Sequence, residues 1–224
     1  MQPWELLDEA KIPGSGETLR LKRRGTEYSI MLGANELMNS RLSGSEKALA
    51  TLSLEKLGGR KSSNILIGGL GMGFTLRAAL EAAGDTARIT VAELVPAVIA
   101  WARGPMADLH GTSLADPRVT FFEGDVGAAI RVEIAGYDAI LLDVDNGPDG
   151  LSRPSNDALY NAKGLGEARA ALTPGGVLAV WSSAPDAAFT RRLKQAGFMT
   201  EEKPVRARGK SGARHMIWLA VRPA

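Results

Sequence analysis

Along this chain, short apolar runs alternate with longer stretches in which apolar residues recur at helical spacing. Ile65-Leu66-Ile67-Gly68, Arg88–Glu93, Val119–Glu123, Tyr137–Leu142 and Val177–Trp181 read as buried strands bounded by glycine or acidic residues. The intervening helices are expected at Thr75–Ala83, Asn156–Leu172 and Pro185–Ala196, with Thr173-Pro174-Gly175-Gly176 as a turn. Met199–Arg206 and Arg214–Val221 form two further strands joined by a basic loop. Five strand-helix units followed by this terminal hairpin predict an open α/β sheet of seven strands whose last strand runs antiparallel. Ahead of it, Thr18–Arg23 and Glu27–Leu32 flank Arg24-Gly25-Thr26 and predict a hairpin. Ser43-Gly44-Ser45-Glu46 reads as a capping box opening an amphipathic helix that Gly58-Gly59 ends. The expected organisation is an appendage of hairpin plus helix over residues 1–58, then the main domain over 59–224.

The strongest chemical signal lies where the first of these buried strands ends. Gly68-Gly69-Leu70-Gly71-Met72-Gly73 leads from strand to helix, a turn whose glycines let the backbone approach a ligand and whose helix N-H groups stay free to bind it. Glu93 ends the next strand twenty positions beyond Gly73, where a carboxylate can accept both hydroxyls of a ribose. Asp125, after Gly124, and Asp143 end the following two strands. Ligands in open α/β sheets bind beyond the carboxyl ends of the strands, so Glu93, Asp125 and Asp143 are expected to converge on one crevice.

Composition narrows the class. At 224 residues, 45% apolar and 23% charged, the chain is long enough for a substantial core and ordinary for a globular enzyme. It has no cysteine, which removes disulfides, thiolate metal sites and cysteine nucleophiles. Neither a spanning apolar segment nor a signal-peptide pattern at Met1-Gln2-Pro3-Trp4-Glu5 is present, so the expectation is a cytoplasmic protein with no membrane partner. A net charge of +2 gives no reason to expect nucleic acid. The two histidines, His110 and His215, are far apart and read as structural, and no metal site is expected. Arg206, Arg208, Lys210 and Arg214 read as a solvated hairpin tip, and an exposed front hairpin offers an edge for homodimer pairing.

The glycine loop, Glu93, Gly124-Asp125, Asp143 and Pro174-Gly175-Gly176, in that order, resemble a class I S-adenosylmethionine-dependent methyltransferase, a Rossmann-like seven-stranded fold. More narrowly, the loop ending in Leu76-Arg77, together with Tyr137–Asp143 followed by Gly147-Pro148, is similar to the spermidine synthase-like branch, over roughly Ser43 to Val180. The resemblance implies that Gly69, Leu70, Gly71, Met72, Gly73, Glu93, Leu94, Gly124, Asp125 and Asp143 hold the cofactor. Within that set, Glu93 would hold the ribose and Asp125 the adenine amino group, and Asp143 would be the catalytic carboxylate beside the sulfonium.

Two positions depart from that pattern. Met72 stands where spermidine synthases carry a loop aspartate that pairs with the aminopropyl ammonium, and Asn146, next to Asp145, stands where they carry a second polyamine-binding aspartate. A desolvated ammonium that loses one of two carboxylates is poorly compensated. The expected activity is therefore methyl transfer from S-adenosylmethionine to a small-molecule nucleophile. Asp143 and Tyr160 are the catalytic candidates, and Asp145, Asn146 and Trp181 the substrate-binding ones. The alternatives are aminopropyl transfer from decarboxylated S-adenosylmethionine, nucleoside binding without catalysis, and nicotinamide dinucleotide binding.

Overall fold

The structure is a computed structural model, and it describes residues 2–60, 62–144, 148, 158–208 and 211–224. Its main sheet contains β5 (Asn64–Gly68), β6 (Arg88–Glu93), β7 (Val119–Glu123), β8 (Tyr137–Leu142), β9 (Leu172–Ser182), β10 (Met199–Arg206) and β11 (Arg214–Val221). The spatial order is β10-β11-β9-β8-β5-β6-β7. β11 pairs antiparallel with both of its neighbours, and the remaining pairings are parallel, so one strand alone is reversed. The seven-stranded sheet and its antiparallel last strand are as expected.

Alternation along the strands divides the core in two, because successive side chains leave a strand on opposite faces. Ile65, Ile67, Ala139, Leu141, Ile217 and Leu219 face one layer, which contains α1 (Gly44–Lys56), α2 (Phe74–Ala82) and α3 (Pro96–Arg103). Leu66, Ile140, Leu142, Leu178, Val180 and Trp218 face the other, with α5 (Val126–Arg131), α6 (Ala162–Ala171) and α7 (Ala187–Gln195); the short α4 (Ala107–His110) follows α3. Trp218 is fully buried, its indole N-H donates to Thr190 Oγ1 at 2.9 Å, and it packs edge-on against Phe189.

Three features differ from the sequence expectation. The front segment is a four-stranded antiparallel sheet, β1 (Glu5–Lys11), β2 (Thr18–Arg24), β3 (Glu27–Leu32) and β4 (Asn35–Asn39), rather than one hairpin. β1 and β4 are edge strands, mostly exposed or half-buried, and so lack the apolar alternation that marks β2 and β3. The turn Thr173–Gly176 lies inside β9 because its backbone is paired: Gly175 N-H donates to Arg222 O, and Arg222 N-H donates to Gly176 O. Finally, Ser43 makes no side-chain capping bond at the start of α1, whereas Asp125, Asn161 and Asp186 do cap α5, α6 and α7.

Candidate functional site

The glycine loop between β5 and α2 is held from both sides. Gly69 N-H donates to Ala92 O, Asp143 N-H donates to Gly68 O, and Gly73 N-H closes the turn onto Leu70 O. Gly69 and Gly73 have φ of 89° and 71°, in the left-handed region that favours glycine. Space excludes a side chain as well: a Cβ at Gly69 would sit 2.6 Å from Asp143 O, and one at Gly73 2.5 Å from His110 Nδ1. His110, fully buried beneath the loop, is held neutral at physiological pH because burial and the nearby Arg77 lower its pKa to about 4.

Glu93 is buried at the end of β6. Its Oε2 accepts from Leu70 N-H and its Oε1 from Val95 N-H, each at 2.9 Å. The carboxylate therefore ties the glycine loop to the neighbouring strand while lining the cavity. Burial raises its pKa, and these backbone donors oppose the rise. Asp125 Oδ1 accepts from Ala128 N-H at 3.1 Å as the cap of α5, leaving its second oxygen outside that cap.

These residues border one cavity of about 190 Å³ over the carboxyl ends of β5, β6, β7 and β8. Gly69, Leu70, Gly71, Met72, Glu93, Leu94, Gly124, Asp125, Asp143 and Trp181 all line it, so the convergence expected from the sequence is present. Gly73 sits behind the lining, against His110. Tyr160 does not line the cavity. It follows the fourth-strand loop in sequence, but its ring is buried edge-on against Phe189 in the core on one face of the sheet. Asp145 and Asn146 lie outside the described residues.

Several lining residues escaped sequence reasoning, among them four that shape the cavity away from the glycine loop. Leu19, Leu37 and Met38 come from the front sheet and give the cavity an apolar wall, and no local pattern marks them as site residues. Glu46, expected as half of a capping box, instead points its chemistry at the cavity: Oε2 accepts from Ser45 Oγ at 2.7 Å, and the side chain lines the pocket beside Asp143. Asp143 remains partly accessible through the cavity, yet the surrounding protein strips it of water. Its pKa is raised to about 7, first by burial and then by the charge of Glu46, while the hydroxyl of Thr75, donating to Oδ2 at 2.6 Å, opposes the rise. A carboxyl poised near neutrality can hold or release a proton during a reaction.

One reversed strand in an otherwise parallel seven-stranded sheet, with a glycine loop after a central strand and acids at the ends of the next three, defines the class I S-adenosylmethionine-dependent methyltransferase-like fold. Within that class the architecture is that of spermidine synthases. The spermidine synthase of Thermotoga maritima superposes with a TM-score of 0.75 at 15% identity, over 97% of this chain and 72% of that one. A spermidine synthase in complex with the transition-state analogue AdoDATO gives a TM-score of 0.75 at 16% identity over 97% and 72%, and a probable spermidine synthase from Corynebacterium glutamicum gives 0.64 at 14% over 97% and 79%. In sequence, the polyamine aminopropyltransferase of Mycobacterium tuberculosis is 34% identical over 125 residues, and that of Sulfolobus acidocaldarius 30% identical over 122. Each match takes in 54% of this chain but only 23% and 39% of the respective relative. No protein-family model matches the chain.

Proposed function

We propose that this chain transfers an aminopropyl group from decarboxylated S-adenosylmethionine to an amine. The observation that carries the reading is the charge of the cavity. Glu46, Glu93, Asp125 and Asp143 line it, and its described lining includes no lysine, arginine or histidine. S-adenosylmethionine would bring a carboxylate into this acidic wall without a cationic side chain to receive it, and such like-charge contacts cost several kcal/mol. The decarboxylated donor presents an ammonium alone, and an amine acceptor adds a second cation that the same wall attracts. Methyl transfer, the expectation drawn from Met72 and Asn146, loses its main support on this view. The carboxylate missing from the glycine loop is replaced by Glu46, which arrives from α1 beside Asp143. The curated relatives named polyamine aminopropyltransferase favour the same reading.

In this assignment the loop from Gly69 to Gly73 supports the nucleoside, Glu93 takes the ribose hydroxyls, and Asp125 takes the adenine amino group. Leu19, Leu37 and Met38 cover the apolar side, while Glu46 and Asp143 hold and orient the amine with Trp181 as a wall. The acceptor nitrogen attacks the aminopropyl carbon bound to the sulfonium. That carbon-sulfur bond breaks with its electron pair passing to sulfur, leaving neutral methylthioadenosine. The proton lost by nitrogen goes to Asp143, whose pKa of about 7 suits it to accept and then release it. The donor is already activated, so the protein's share is alignment and exclusion of water.

The test is product analysis after incubation with putrescine and either donor. Methylthioadenosine formed from the decarboxylated donor supports the proposal. S-adenosylhomocysteine formed from S-adenosylmethionine, with no turnover of the decarboxylated donor, refutes it.

A further inference from the structure

Behind the acidic wall a hydrogen-bonded path leads away from the cavity to the terminal hairpin. His215, on β11, places Nδ1 2.9 Å from Ser45 Oγ, and that hydroxyl lies 2.7 Å from Glu46 Oε2. Ser45 is fully buried in the first turn of α1 and has a single proton to give. With that proton donated to the Glu46 carboxylate, its oxygen must accept from His215, which requires the hydrogen on Nδ1. The His215 ring is also held edge-on to Trp181, with centroids 4.8 Å apart and planes at 72°. Trp181 lines the cavity, so the ring is fixed by one contact to a wall residue and by another to the hydroxyl that holds a second wall residue. The path joins elements far apart in sequence, and neither a capping role for Ser45 nor a packing role for His215 requires it: α1 begins without a side-chain cap, and the β11 backbone is paired on both sides.

We propose that Ser45 and His215 are positioning residues for Glu46, orienting its carboxylate toward the cationic substrate, so that the terminal hairpin governs how tightly the pocket holds an amine. The proposal rests on the reading of Glu46 as an amine-binding carboxylate. A carboxylate that accepts a hydrogen bond from a fixed hydroxyl loses rotamer freedom before the substrate arrives, which is where preorganisation gains affinity. Removing the hydroxyl, or the histidine that orients it, leaves Glu46 free to rotate and to pair with water.

The experiment is calorimetric titration of putrescine into protein saturated with methylthioadenosine, using wild type and the variants S45A, H215F, H215N and E46Q. S45A and H215F are expected to weaken putrescine binding about tenfold while methylthioadenosine binds as in wild type, which also reports that each variant is folded. H215N, whose side-chain amide can donate from near the Nδ1 position, is expected to restore affinity to within about twofold of wild type. Wild-type putrescine affinity in both S45A and H215F, with E46Q weakened, would overturn the positioning role alone. Failure of H215N to rescue a weakened H215F would likewise overturn it, reducing His215 to a packing residue. Unchanged putrescine affinity in E46Q would overturn the underlying reading of Glu46 instead.

Discussion

Replacing Asp143 by Asn removes a charge that the folded chain holds unfavourably. The carboxyl has a pKa of about 7 in the fold against 3.8 in an unstructured chain, and the difference is worth about 4 kcal/mol. The native state binds this proton more tightly than the unfolded chain does. The associated stability is therefore complete below about pH 4 and is lost as pH rises through about 7. Asn is nearly isosteric, stays neutral at all these pH values, and keeps an oxygen to accept from Thr75 Oγ1. D143N should therefore be more stable than wild type at pH 8 by about 2–4 kcal/mol, the lower figure allowing for water entering the cavity, and close to wild type at pH 4. Urea unfolding of both proteins across pH 4–8 measures this directly, and the same variant should lose turnover. Parallel stability curves, or a variant less stable than wild type at pH 8, would show that Asp143 is ionised at no cost and that its proposed proton-accepting role has no electrostatic basis.

Other substitutions test the frame around the site. G69A places a Cβ 2.6 Å from Asp143 O at a φ of 89°, and should cost at least 1 kcal/mol and abolish methylthioadenosine binding, as read by thermal melting and calorimetry. S43A should leave the melting temperature within about 2 °C of wild type, because Ser43 makes no capping bond. D186A should lower stability by about 1–2 kcal/mol, because Asp186 accepts from Ala188 and Phe189 N-H at 2.7 and 3.0 Å. F189A empties a fully buried site between Tyr160 and Trp218; it should cost about 3–5 kcal/mol in denaturant unfolding while nucleoside binding survives.

The strands β5, β8 and β9 were legible because each carries an apolar run, and the residues proposed for the nucleoside end of the site were legible because each is placed by its own strand. The glycines of 69–73 and Asp125 follow their strands within a few residues, and Glu93 ends its own. The proposed amine end was not. Glu46 has the spacing of a capping box, and only the packing of α1 beside the strand that delivers Asp143 turns its carboxylate into the cavity. Leu37 and Met38 sit on an edge strand without alternation, and their role depends on how the front sheet lies over the glycine loop. Tyr160 was misread for the converse reason: adjacency to a functional loop says nothing about which face of the sheet a side chain enters.

The insertion of β11 between β9 and β10 has a consequence for biosynthesis. A chain emerging from the ribosome completes β10 first, and at that moment neither β10 nor the outer side of β9 has a partner strand. The nascent domain then presents a long open edge and an uncovered core layer, a state prone to pair with other chains. Only when Arg214–Val221 slots between them do Trp218 reach its buried place and His215 meet Ser45. Closure of the sheet and assembly of the His215–Ser45–Glu46 side of the pocket are thus one late event, and premature termination before β11 would yield an aggregation-prone fragment rather than a merely weakened protein.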